Sequence, residues 1–203
     1  MGVNHIALAV KDIQKTHHFY TEAMGFELVK VEVVPQKRGG FARHVFYSTG
    51  SSRDQLMAFW DLARVPGMED PKTDICRDLG LDPLTNHLAF SADDLDDLER
   101  RKVRWLDFGR DVLEIDHHWV KSIYTEDPDG ITVEFAVLTR DFTEADAREA
   151  EQLLHAESPA VNAPEPVVSF HKAADHKAAD HRAADHKAAD PKATDPKPQN
   201  AAG

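Results

Sequence analysis

The amino-acid sequence predicts an α+β fold, in which two tandem βαβββ modules form an open, barrel-like cleft and a disordered C-terminal tail follows. The first observation is an internal repeat: residues 3–13 (VNHIALAVKDI) and 85–95 (TNHLAFSADDL) share Asn, His, Ala and Asp at equivalent positions. The second is a change of composition near residue 158, beyond which an HKAAD unit recurs. A long internal repeat of the first kind indicates two similar structural modules.

Each copy of the repeat begins as a strand with period-2 alternation and then reaches Asp12 or Asp94, which suits a helix N-cap. Apolar residues at helical spacing follow and predict amphipathic helices over 13–24 and 95–106. Apolar runs between turn residues predict the remaining strands: 26–34, 43–49 and 55–61 in the first module, and 111–118, 120–126 and 131–139 in the second. Residues 62–84 link the modules, and about 143–156 are expected to form a closing helix.

These elements divide the chain into a domain of residues 1–158, with modules at 1–62 and 85–140, and a tail of residues 159–203. Beyond Phe170 the tail has no large apolar residue, so it lacks the composition of a packed core and is expected to be disordered. A histidine-rich metal-binding tract is the alternative. The histidines recur every five residues, which matches no helix or strand period and favours a solvated extension.

The overall composition limits which classes of binding partner and which cellular compartment are expected. A net charge of −12 argues against nucleic acid and anionic membranes, which both select for basic surfaces. The single cysteine, Cys76, cannot form an internal disulfide, which suits a reducing compartment. The sequence shows neither a signal peptide nor a membrane span, so a cytoplasmic protein is expected.

Glu134 is an unusual residue for its position, because its neighbours predict a strand buried on both faces. A buried carboxylate is costly unless it is paired or binds a metal. Strand alternation places Glu134 on a face with small neighbours, and His5 and His87 occupy similar faces of the two repeated strands. Two imidazoles and one carboxylate form the facial triad that suits non-haem Fe(II). A hydrogen-bonded core histidine and a Glu–Arg pair are the alternatives for each residue alone, but the recurrence of the histidine favours the metal.

Tandem βαβββ modules with ligands on first and last strands resemble the vicinal oxygen chelate superfamily over about residues 3–139. Residues 115–134 also fit the signature of its type I extradiol, catechol-cleaving dioxygenases. The signature positions are Ile115, His117, Ile123, Tyr124, Asp127-Pro128, Gly130 and Glu134.

The resemblance implies an Fe(II) enzyme, or one using Mn(II) or another divalent metal, that cleaves a catechol-like substrate with O2 and assembles as a homo-oligomer. It implies that His5, His87 and Glu134 are the metal ligands. Tyr124 would hydrogen-bond the substrate oxygen, and His117 would lie at the substrate's edge.

Two departures from the family pattern leave alternatives open. Ala58 stands opposite Glu134 in the repeat, so the fourth ligand of glyoxalase-type relatives is absent, which favours the dioxygenase pattern. Asp54 and Gln55 occupy the place of the family's acid–base histidine, and His44 is the nearest substitute, although cross-strand packing explains His44 equally well. The alternatives are a metal-dependent lyase, isomerase or epimerase, and a non-catalytic small-molecule binding protein.

Overall fold

The computed structural model describes residues 2–50 and 55–174, and it contains the two predicted βαβββ modules. The first module forms a four-stranded sheet in the order β1-β4-β3-β2, with β1 and β4 parallel. Its strands are β1 (His5–Val10), β2 (Glu27–Pro35), β3 (Phe41–Ser48) and β4 (Leu56–Asp61). The predicted helix over 13–24 is an α-helix, α1 (Ile13–His18), that continues as a π-helical turn (Phe19–Ala23). Both Phe19 and Tyr20 are fully buried in this wider turn.

The second module repeats this pattern in a five-stranded sheet of order β5-β8-β7-β6-β9. Its strands are β5 (His87–Ser91), β6 (Val112–Asp116), β7 (Val120–Glu126), β8 (Thr132–Leu138) and β9 (Val167–His171). The helices are α2 (Leu95–Phe108) and the closing helix α3 (Glu144–His155), and a 3-10 turn (Arg77–Leu79) interrupts the linker. Among the strands of the described residues, neither sheet closes on itself to form a barrel.

The fifth strand corrects the predicted tail boundary. Residues 167–171 lie within the segment expected to be disordered, yet they pair antiparallel with β6 along its whole length. His171 contacts Glu114 at 2.9 Å, and the backbone N–H of Ala173 donates to Asp111 Oδ1 at 2.9 Å. The carboxylate of Glu114 also accepts hydrogen bonds from Lys102 of α2 and Lys121 of β7. Burial alone would raise the pKa of Glu114, but these lysines lower it to about 2. The HKAAD repeats from Asp175 onwards lie outside the described residues.

The core lies between the modules, where the helices pack against the inner faces of the sheets and against each other. Phe19 of the first module meets Phe108 of the second with ring centroids 5.9 Å apart, and Phe26 meets Phe90 at 5.1 Å. Trp105 of α2 is fully buried against Phe135 of β8. The opposite, outer faces of the two sheets therefore point away from this shared core.

The DPDG turn between β7 and β8 joins the modules through buried carboxylates. The Tyr20 hydroxyl donates to Asp127 Oδ2 at 3.1 Å, and the backbone N–H of Lys11 donates to Asp129 Oδ1 at 2.9 Å. Burial raises the pKa of Asp127 to about 6. The hydrogen bonds that its Oδ1 accepts from the backbone N–H groups of Asp129 and Ile131 lower the pKa and only partly offset this effect. Within residues 2–50 and 55–174, no helix is long and apolar enough to cross a membrane.

Candidate metal and substrate site

His87 and Glu134 meet on the outer face of the second sheet. β5 and β8 are parallel neighbours, and their register sets Ala89 beside Glu134 and His87 beside Thr132. His87 Nε2 lies 2.9 Å from Glu134 Oε2, and Glu134 is only 5% exposed. The small Ala89 side chain leaves the space above the carboxylate open to the imidazole. The carboxylate in the apolar strand thus faces a histidine, and no arginine of residues 2–50 or 55–174 forms an ion pair with it.

The hydrogen bonding of His87 leaves one ring nitrogen directed at the carboxylate. Its Nδ1 lies 2.8 Å from the carbonyl oxygen of Leu84, which can only accept, so Nδ1 carries the proton. Nε2 then faces Glu134 Oε2, and this contact requires a proton between the two atoms or a cation that both atoms bind. Backbone-carbonyl anchoring of Nδ1 is the usual arrangement for a histidine that binds a metal through Nε2.

Tyr124, on β7, and His117, in the turn between β6 and β7, lie beside this pair. Tyr124 is the cross-strand neighbour of Glu134, and its ring centroid lies 6.0 Å from that of His87. Burial, followed by the charge of Glu134, raises the pKa of the Tyr124 hydroxyl, which therefore keeps its proton at neutral pH. His117 Nε2 lies 3.4 Å from the Tyr124 oxygen. The three sequence-predicted groups around Glu134 thus share one surface.

His5 and His44 lie on the other sheet. His5 is exposed at the start of β1, where its Nδ1 bonds Asn4 Oδ1 at 2.8 Å, and its ring meets Phe46 edge-on. His44 stacks on Trp60 with centroids 3.8 Å apart, and burial lowers its pKa. Across the described ranges, no group of three or more His, Cys, Asp or Glu side chains is placed to hold one metal ion.

The structure therefore does not bring His5 together with His87 and Glu134 within one chain. The physical reason is the packing of the modules: their helices and inner faces meet in the shared core, so the two outer faces are not opposed. The assignment of these three residues as ligands stays a prediction. Asp54, one of the two residues at the position of the family's acid–base histidine, lies outside the described residues.

The comparisons with known proteins match this architecture. The sequence model of the Glyoxalase/Bleomycin resistance protein/Dioxygenase superfamily matches residues 2–135, which is more than half of the chain. The chain belongs to this superfamily. Members of the superfamily bind small-molecule substrates, typically contain divalent metals and often form oligomers.

Solved structures extend the likeness at low sequence identity. SMU.1112c is 24% identical with a TM-score of 0.50, and the match covers 68% of this chain and 98% of that one. The fosfomycin resistance protein FosX from Mesorhizobium loti is 23% identical (TM-score 0.48, covering 72% and 98%). Lactoylglutathione lyase from Agrobacterium tumefaciens is 21% identical (TM-score 0.44, covering 66% and 92%). No curated protein matches the chain.

His87 and Glu134 have the spacing of two ligands of the divalent metal that the superfamily implies. Two ligands bound side by side at about 2.1 Å from one ion lie roughly 3 Å apart, and the 2.9 Å between His87 Nε2 and Glu134 Oε2 meets this condition. His5 has the same arrangement as His87, because Nδ1 is engaged by an oxygen and Nε2 is left for a ligand. In the first sheet Ala7 pairs with Ala58, and at the equivalent place in the second sheet Ala89 pairs with Glu134. Only one of the two modules therefore has a carboxylate at this position.

Sequence reasoning missed a cavity beside this site. It has a volume of about 510 Å³, and its walls include Leu84, Leu113, Tyr124 and Phe170. Alternation along β7 places Tyr124 on this face, but no local signal indicates that Phe170 returns to the same sheet. The linker residue Leu84 was also missed, although its proximity to the His87 repeat was visible in the sequence.

Proposed function

We propose that the protein is a divalent-metal enzyme, an extradiol-type dioxygenase that uses Fe(II) to open a catechol ring with O2. The observation that carries the proposal is the contact between His87 Nε2 and Glu134 Oε2, with Tyr124 and His117 beside it. Three ligands leave open coordination positions for substrate and O2, and Ala58 offers no fourth.

The third ligand in this proposal is His5 of a second copy of the chain. β1 and β5 are edge strands of their sheets, and both His5 and His87 are accessible there. The outer face of the first sheet is free within one chain, and its strand β2 is exposed along nearly its whole length. A two-fold pairing that covers this face with the second sheet of another copy would create two equivalent sites.

Each side chain then has a defined task. When bound, the metal supplies Lewis acidity toward the two catechol oxygens and a place where O2 meets them. The protonated Tyr124 hydroxyl donates a hydrogen bond to a substrate oxygen, and the charge-assisted bond orients the ring. His117 Nε2 stands close enough to Tyr124 to take up the proton that the catechol loses and to return it at ring opening. His44, brought by the second copy, is the alternative proton carrier.

A second candidate function is non-catalytic binding of a planar small molecule. The observation that favours it is the aromatic surface on the first sheet, where His44 stacks flat on Trp60 and also contacts Phe46. A metal-dependent lyase, isomerase or epimerase would use the same ligands without consuming oxygen.

Anaerobic purification followed by metal analysis and an oxygen assay separates these functions. We expect one divalent metal per chain, oxygen uptake with catechols, and a yellow ring-opened product. His87→Ala should lose the metal, whereas His155→Ala on the exposed helix α3 should keep it. If the protein contains stoichiometric metal but consumes no oxygen with any catechol, the result favours a lyase, isomerase or epimerase. If it contains no metal but binds aromatic compounds, the result favours the non-catalytic binding protein.

A further inference from the structure

One row of cross-strand neighbours runs from the candidate metal ligands to the end of the second sheet. The register aligns five residues on five strands, in the order Ala89, Glu134, Tyr124, Leu113 and Phe170. Three strand spacings separate Glu134 from Phe170, which corresponds to about 14 Å. A ligand whose reacting end lies at Glu134 therefore has to be longer than one aromatic ring to touch Phe170.

The cavity of about 510 Å³ occupies the far part of this row. Tyr124 forms its wall nearest the metal ligands, and Thr132, the cross-strand partner of His87, also lines it. Leu84, Leu113 and Phe170 form the apolar walls beyond. A volume of this size falls in the range of small-molecule sites.

The strand that carries Phe170 is held by contacts on its other face. His171, which points to the helix side, bonds Glu114, and the segment before the strand is fixed by His118 Nε2 at 2.9 Å from the carbonyl oxygen of Glu165. Phe170 itself is 59% exposed, so its ring contributes little of the burial that stabilises the strand. Its position on the cavity wall needs another explanation.

The charges at the cavity do not select an ion. Arg110, Asp111 and Glu126 line it, and Asp111 Oδ1 accepts a hydrogen bond from the backbone N–H of Ala173. Arg110 lies over the Phe19 ring at 5.4 Å, and Glu126 is paired with Arg77. Each of these three charged side chains has a neighbour of its own, and the apolar walls remain for a ligand.

We infer that β9 is a substrate-specificity element, in which Phe170, with Leu113 and Leu84, receives an uncharged apolar substituent of the substrate. The position of the reacting end at Glu134 rests on the proposed function. The position of the apolar substituent rests on the cavity. Phe170 is a specificity-determining residue and takes no part in the chemistry.

Binding of catechol and of 4-alkylcatechols with one to six carbons tests this inference. Titration calorimetry on zinc-loaded, oxygen-free protein measures affinity without turnover. For the wild type we expect a gain of roughly two- to fourfold per methylene while the chain lies in the cavity. Phe170→Ala should weaken the binding of hexylcatechol by about tenfold and that of catechol by less than twofold, and Phe170→Leu should restore most of the loss.

Val168→Ala is the matched control, because Val168 lies on the same face of β9 and is similarly exposed but does not line the cavity. It should bind the whole series as the wild type does. Three results would overturn the inference. Phe170→Ala could weaken the binding of catechol and hexylcatechol equally, the affinity of the wild type could be independent of chain length, or none of the series could bind. If affinity depends on chain length as expected but the protein never consumes oxygen, the proposed dioxygenase function is wrong and the role of β9 still holds.

Discussion

At the scale of single residues, the Tyr124 hydroxyl is the group whose removal tests the proposed chemistry most selectively. Tyr124→Phe keeps the ring against His87 and removes one hydrogen bond to a charged substrate oxygen, which is worth roughly 1.5–3 kcal/mol. We expect turnover to fall about ten- to a hundredfold, with metal content and melting temperature close to those of the wild type. Unchanged turnover of a genuine substrate would remove Tyr124 from the mechanism.

The same scale shows what strand alternation can and cannot predict. Period-2 alternation placed Glu134, Tyr124 and His87 on one face, because the face follows from residue parity once the strands are known. It also grouped His5 with Ala7 and Ala9, on the face of β1 opposite the buried Val10. Alternation could not predict which surface opposes that face, since this depends on how the modules pack. The contact of His87 with Leu84 was equally inaccessible, because it depends on the path of the linker.

At the scale of secondary-structure elements, we expect β9 to contribute to stability, although it lies in the tail that the sequence predicted to be disordered. Truncation after residue 174 should leave the melting temperature and metal content unchanged, because β9 and its contacts remain. Truncation after residue 158 removes the ladder to β6 and the buried Ala173, and should lower the melting temperature by roughly 5 °C or more. Thermal denaturation of both variants decides this, and equal stability of the two would show that β9 does not dock in solution.

The repeated elements were predictable and β9 was not, for a physical reason. The other strands place apolar side chains on the core face, so their hydrophobic pattern is informative. β9 places Ser169 and His171 toward the helices and Val168 and Phe170 outward, which inverts that pattern. Its inner contacts are polar, and its partner strand β6 is distant in sequence.

At the scale of the whole molecule, the buried Asp127 makes the joint between the modules sensitive to pH. Its pKa is about 6 in the folded protein and near 3.8 when unfolded, so folding favours the protonated form. That contribution is fully present below pH 4 and is lost as the pH rises through 6, a change of about 2–3 kcal/mol. Asp127→Asn keeps an acceptor for the backbone N–H groups and carries no charge.

We therefore expect the melting temperature of Asp127→Asn, relative to the wild type, to rise between pH 5 and pH 8. Scanning calorimetry across this range measures the difference. Asp70→Asn, at an exposed site in the linker, should show no such trend. A constant difference between Asp127→Asn and the wild type at all pH values would mean that Asp127 is ionised in the folded protein throughout the range.

The assembly is testable by combining inactive variants. If each metal site takes His5 from one copy and His87 with Glu134 from another, His5→Ala and His87→Ala homodimers both lack complete sites. Their heterodimer has one site with every ligand intact and one with neither histidine. Random pairing of an equal mixture makes half of the dimers heterodimers, so about a quarter of the wild-type metal content and activity should return.

A mixture of His87→Ala with Glu134→Ala is the matched control. Both substitutions lie on the same sheet, so every heterodimer site still lacks one ligand, and no recovery is expected. Co-expression, or joint unfolding and refolding, followed by metal analysis provides the measurement. No recovery in the first mixture would place the three ligands within one chain, and this would require the two outer faces to close on each other in solution.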